Sequence, residues 1–174
     1  MSCRDLAPGG VPRKGSIKVL SSCTGSCAEG SALDALGIPY ELVGASEINP
    51  SFRSVIQANF TVKHLHNTMK DQVDSAACLL HRDSCDSCRL TPCDLAIFGT
   101  PCPPFSEQRT KRYRSGSVKE HPLTRVTMED ARDMIVLGGH KAVVMEQVQG
   151  FDRAEVAGDA EFTPMRRQDM SSSC

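Results

Sequence analysis

The chain has 174 residues, 24% of them charged, with a formal net charge of −1, only 5% aromatic residues and no tryptophan. That length allows one domain with a real core, and the near-zero charge gives no overall attraction to nucleic acid, so any such binding must come from a local patch. No apolar run approaches the ~18 residues of a membrane span, the amino end lacks the apolar stretch of a secretory signal, and nine cysteines without an even framework point to a reducing, intracellular compartment.

Residues 1–15 contain Gly, Pro and Arg and read as a flexible tail. A domain is expected over 16–151, built of alternating strands and helices. Strand 17–21 is followed by a turn of small residues from Ser22 to Gly30 and by helix 29–36. Strand 41–46 ends at Glu47 and is followed by helix 50–58. The stretch 61–92 is poorly patterned. Strand 94–98, a short apolar run of Leu95, Ala96, Ile97 and Phe98, leads into a loop over 99–120. Helix 127–139 carries a cap at Thr127, Glu129 and Asp130 in its first turn, a buried side of Met134, Ile135 and Leu137, and a stop at Gly138-Gly139. Strand 142–146 follows, and 152–174 lacks apolar periodicity and reads as a poorly structured tail. Short apolar strands alternating with helices predict an α/β fold, a doubly wound, mostly parallel, Rossmann-like sheet.

Three places on this frame carry chemistry. Pro101, Pro103 and Pro104 restrict the backbone on both sides of Cys102, so the thiol is presented in a nearly fixed loop at the carboxyl end of a strand. Glu146 ends the next apolar run 44 residues later, and two neighbouring parallel strands would bring it to the same sheet edge as Cys102. A thiolate beside such a carboxyl can attack an electron-poor heterocycle and hold or protonate its ring nitrogen. At the front, the small-residue turn of Cys23, Thr24 and Gly25 lets a ligand approach closely, and Glu47 lies 22 residues after Gly25. An acid at that interval after a second strand reaches a ribose hydroxyl pair.

These segments, in this order from Ile17 to Phe151, resemble the cytosine-C5 DNA methyltransferases. Pro101-Cys102-Pro103-Pro104-Phe105-Ser106 is similar to the family's Pro-Cys loop, and Glu146-Gln147-Val148 to its Glu-Asn-Val motif, with a departure at Gln147. Gly44 to Pro50 followed by Ala58-Asn59-Phe60 is similar to the second cofactor motif. The first motif normally carries Asp-x-Phe-x-Gly, and Ser21-Ser22-Cys23-Thr24-Gly25 stands in its place. The resemblance implies the fold of S-adenosylmethionine-dependent methyltransferases, incomplete at its carboxyl end, because the family carries further strands and a target-recognition region beyond the glutamate strand. It implies S-adenosylmethionine as cofactor, held by Cys23, Thr24, Gly25, Glu47, Ile48, Asn59, Thr100 and Pro101. It further implies methyl transfer to C5 of a flipped-out cytosine in DNA, with Cys102 as nucleophile and Glu146 on the ring nitrogen. The same chemistry on transfer RNA, or a truncated and inactive cofactor-binding remnant, are the alternatives. Asn67 and Asp71 lie near the family's third motif, which touches the adenine. In a eukaryote the compartment would be the nucleus.

Arg109, Lys111, Arg112, Arg114 and Lys119 give five positive charges with no acid between 109 and 119. Where the family's flexible loop closes over the target strand, Ser106, Arg109, Lys111, Arg112 and Arg114 are expected on phosphates. Cys78, Cys85, Cys88 and Cys93 surround His81, but only Cys85-x-x-Cys88 has ligand spacing and no second such pair accompanies it. That segment is therefore read as an irregular insertion with incidental cysteines and no metal, with a zinc-binding module centred on Cys78 to Cys93 as the less favoured alternative.

Overall fold

The computed structural model describes residues 14–76, 78–81, 88–114, 116–156 and 163–166. Five strands form one all-parallel sheet: β1 (Ile17–Ser22), β2 (Tyr40–Ser46), β3 (Leu65–His66), β4 (Leu95–Gly99) and β5 (Ala142–Glu146). Their order is β3-β2-β1-β4-β5. The chain leaves β1 to one side through β2 and β3, then crosses back to β4, so the direction of winding reverses between β1 and β4. Crevices at the carboxyl ends of strands at such a reversal are where open α/β sheets bind ligands.

Alternation along the central strands, shifted by one residue in β2 where the register slips opposite Val19 and Leu20, supplies two cores. Val19 and Leu42 point to one face with Ala45, and meet Leu33 of α1 (Ala28–Ala35) and Ile56 of α2 (Pro50–Asn59). Leu20, Val43, Ala96 and Phe98 point to the other, and meet Met69 of α3 (Met69–Val73) and Met134 of α4 (Ala131–Gly138). A strand buried on both faces reads as a continuous apolar run, which is why β1, β2 and β4 stand out in the sequence.

The helix ends follow local chemistry. Asn49 accepts from the Ser51 amide ahead of Pro50 at the first turn of α2. Thr68 and Asp71 form a reciprocal capping box on α3. Gly139, at φ 58°, ends α4 as expected. Thr127 is not the cap of that segment. Helical winding is already present at Thr124 and Arg125 and passes through a π-turn over Val126–Asp130, with Thr127 buried inside it. The expected buried side of α4 also needs correction, since Ile135 and Leu137 are 38% and 67% exposed. β5 is an edge strand, and its Val143 and Val144 are exposed too. No helix among the described residues is long and apolar enough to cross a membrane.

Burial also sets the behaviour of the thiols. Cys27 and Cys23 are pushed up to about 12 and Cys93 to about 11, mainly by desolvation. An unfolded thiol ionises near 8.5, so from about pH 9 upward the unfolded chain has lost protons that the folded chain still holds. Stability must therefore fall as pH rises through that window toward about 12. Urea midpoints should stay level between roughly pH 7 and 8 and drop steadily from about pH 9. A midpoint level across the whole range would contradict the burial of these thiols.

Candidate active site

Three loops meet at the carboxyl edge of the sheet, each the continuation of a strand. The first, after β1, packs Cys23, Gly25 and Cys27 into left-handed backbone at φ 54°, 55° and 63°. For the two cysteines this conformation costs roughly 1 kcal/mol or more each, a cost typical of turns held in place for a ligand. The second loop, after β2, places Glu47, only 8% exposed, against that turn. Its carboxylate accepts the Gly25 amide at 2.7 Å through Oε2 and the Asn49 amide at 2.7 Å through Oε1. Both oxygens are thus aimed by backbone donors while keeping further lone pairs for a hydroxyl pair.

The third loop is the Pro-Cys loop after β4. Strands β4 and β5 pair in register from Leu95 with Ala142 to Gly99 with Glu146, so Cys102 and Glu146 leave the same edge of the sheet. Gln147 ties the two together. Its Nε2 donates to Thr100 O at 2.9 Å, Thr100 Oγ1 at 2.8 Å and Pro101 O at 3.2 Å. The amides of Phe105 and Ser106 turn back onto the Cys102 carbonyl at 3.0 and 3.1 Å. The Cys102 thiol, half-buried, donates to Thr100 O at 3.8 Å. Burial raises its pKa first and the charge of Glu146 raises it further, while the Val148 backbone favours the thiolate.

Beneath this loop, Phe105, Val118 and Phe151 make a third small core, with Phe105 and Phe151 edge to face at 4.9 Å. Gly150 passes so close to the Phe105 carbonyl that no side chain could stand there. Arg112 is buried at the centre. It donates to the carbonyls of Phe105 at 3.1 Å, Gly150 at 2.8 Å, Arg153 at 3.3 Å and Glu155 at 3.4 Å.

The chain matches no family model and no curated protein sequence.

A cavity of about 270 Å³ lies between the first two loops and the β4 edge, near the small end of ligand clefts (~300–1,000 Å³). Cys23, Glu47, Ile48 and Pro101 of the expected cofactor set line it. Thr24 and Gly25 do not. Thr24 is buried, its hydroxyl accepting from Ser21 Oγ at 2.8 Å, and Gly25 acts through its amide on Glu47. Thr100 is buried and serves Gln147. Asn59 is corrected: it sits exposed at the end of α2, with its amide on the Val55 carbonyl of its own helix at 2.8 Å. Asn67 lines the cavity, whereas Asp71 is spent on its capping box. The sequence reading missed Met69, Leu123, Val126 and Asp130 in the walls. Asp130, held above the usual carboxylate range by burial, and Cys23, pushed up to about 12, make that wall less charged than its composition suggests.

The basic run divides. Arg112 cannot meet phosphate, because its guanidinium is inside and its donors are on carbonyls. Arg109 is half-buried, with Nη2 on Pro104 O at 3.0 Å and Ser117 O at 3.3 Å. Lys111 and Arg114 are exposed and, with Arg109 and His121, line a hollow of about 280 Å³ that also carries Glu120. Ser106 Oγ accepts the Gln108 amide at 3.3 Å. A larger hollow of about 500 Å³ opens beside β5 between Ile135, Val136, Met145 and Phe151, and neither Cys102 nor Glu47 lines it.

Proposed function

We propose that this chain transfers a methyl group from S-adenosylmethionine to C5 of a flipped-out cytosine in DNA. The observation that carries the reading is the register of β4 on β5, which sends a proline-stiffened cysteine and a glutamate off one sheet edge, with Glu146 near enough to raise the Cys102 pKa. The cavity suits a nucleoside-bearing cofactor. Glu47 offers oriented carboxylate oxygens for a ribose, and Ile48, Met69, Leu123 and Val126 offer apolar wall for a base. When bound there, S-adenosylmethionine supplies an electrophilic methyl group.

The chain's own residues do the rest. Cys102 gives up its proton to the Glu146 carboxylate and adds as thiolate to C6 of the ring, which makes C5 nucleophilic. Glu146 holds the adjacent ring nitrogen and delivers the proton that offsets the charge gathering there. Loss of the C5 proton and of the cysteine sulfur from C6 restores the aromatic ring and the free thiol. Gln147 and Arg112 keep the loop in position without touching substrate. Lys111, Arg114 and Arg109 supply positive charge for the strand carrying the base.

Covalent trapping on DNA containing 5-fluorocytosine, with S-adenosylmethionine present, tests this reading. Fluorine at C5 blocks the last elimination, so the expected product is a chain–oligonucleotide adduct that vanishes in Cys102→Ala. An adduct on the RNA counterpart alone reassigns the substrate. No adduct from a folded chain on either refutes the catalytic reading and leaves cofactor binding without catalysis.

A further inference from the structure

The stretch between α3 and β4 contains no helix or strand among its described residues. Four side chains converge where it passes the sheet edge. His64 stands just before the two-residue edge strand β3, Cys78 and His81 follow α3, and Cys88 comes shortly before β4. One ligand atom from each lies within 4.8 Å of all the others. Cys78 Sγ is 3.8 Å from His64 Nδ1 and 3.1 Å from His81 Nδ1, and Cys88 Sγ is 3.9 Å from His81 Nδ1. A tetrahedral zinc ion with Zn–S of about 2.3 Å and Zn–N of about 2.0 Å holds its sulfur and nitrogen ligands roughly 3.5 Å apart, so the three distances bracket the value for a shared metal. Cys78 and Cys88 are 1% and 2% exposed, and the two imidazoles meet edge to face at 5.1 Å.

We propose that His64, Cys78, His81 and Cys88 bind one zinc ion that pins the α3–β4 connection to the edge strand. The donor set is the two-thiolate, two-imidazole combination of closed structural sites. Two thiolates balance the charge of a divalent ion, which suits a buried position, and their two protons leave to solvent on binding. With all four positions taken by protein, no site is left for substrate, so the ion is structural. Residues 78 and 81 would be tied to residue 64 across α3, the helix whose start supplies Asn67, Thr68 and Met69 to the cavity. Cys93 belongs elsewhere, its sulfur 3.1 Å from His140 Nδ1, and Cys85 lies outside the described residues. The site is independent of methyl transfer.

The test is metal content and cobalt spectroscopy on the full chain, purified in reductant and reloaded with zinc or cobalt after chelation. The expected result is about one zinc per chain, with cobalt giving thiolate charge-transfer bands and the strong visible bands of tetrahedral geometry. Cys78→Ser and Cys88→Ser should each lower zinc at least tenfold, while Cys93→Ser and Cys102→Ser keep it. Chelation should lower the melting temperature and zinc should restore it. Should the serine variants fail to fold, Cys88→His, which keeps four donors, should still bind cobalt with weaker charge transfer. A folded chain without tetrahedral cobalt bands, or one whose zinc survives both Cys78→Ser and Cys88→Ser, overturns the proposal.

Discussion

Replacing Arg112 with methionine should lower the melting temperature by about 10 °C and leave the salt dependence of DNA binding unchanged. The side chain is 0% exposed and its donors rest on four main-chain carbonyls spread from Phe105 to Glu155. Methionine fills most of the volume but leaves those carbonyls buried and without their charged donor. Hydrogen bonds to charged groups contribute roughly 1.5–3 kcal/mol each, and breaking such a buried set costs of the order of 3–5 kcal/mol. In a domain of this size, 1 kcal/mol moves the midpoint by about 2–4 °C. Lysine should not rescue, since a point-like ammonium cannot span carbonyls fanned around a planar guanidinium. Lys111→Met is the opposite case. That side chain is exposed beside Arg114 in the basic hollow. Its loss should leave stability within about 0.5 kcal/mol while reducing the salt slope of DNA binding by about one. If Arg112→Met melted normally and flattened the salt slope, the buried strut would be wrong and the phosphate contact right.

Arg112 also shows where sequence reading stops. In the chain it is one of five like charges within eleven residues, and nothing local separates the one that turns inward from Lys111 beside it. The carbonyls of Gly150, Arg153 and Glu155, some forty residues away, make the difference. The parallel sheet was legible because β1, β2 and β4 are buried on both faces and so carry short apolar runs, Val19-Leu20, Leu42-Val43 and Leu95 to Phe98, closed by small or turn residues. β3 was not, since two residues carry no period, and its pairing depends on Ala45 and Ser46. The start of α3 did carry a signal, Thr68 with Asp71 three residues on, hidden in a stretch otherwise without pattern. Ile135 and Leu137 fit a helix period correctly yet face outward, because periodicity reports a stripe and not what covers it. The cysteines of 78–93 mislead for a similar reason. Spacing favours Cys85 with Cys88, whereas the folded cluster draws on His64, fourteen residues before Cys78 and invisible to any local motif.

Glu146→Gln should separate the chemistry of the site from its architecture, because it should move two readouts in opposite directions. The carboxylate raises the pKa of Cys102, second only to burial. Removing its charge while keeping its shape should shift the pH profile of Cys102 alkylation to lower pH and speed the reaction with iodoacetamide near pH 8, followed by mass mapping of that peptide. Methyl transfer should fall by about 10²–10⁴-fold, the usual contribution of a positioned acid or base, since glutamine has no proton to deliver to the ring nitrogen. Glu146 is exposed at the end of β5, so the folded chain should melt as before. A variant that lost methyl transfer with no change in thiol reactivity would place Glu146 outside the reach of Cys102. One that alkylated faster and still transferred methyl groups at full rate would leave the thiol pair in place and remove Glu146 from the reaction. Only faster alkylation together with failed transfer requires both roles of the carboxylate: restraining the thiolate in the unliganded chain and spending the same charge on the base when it arrives.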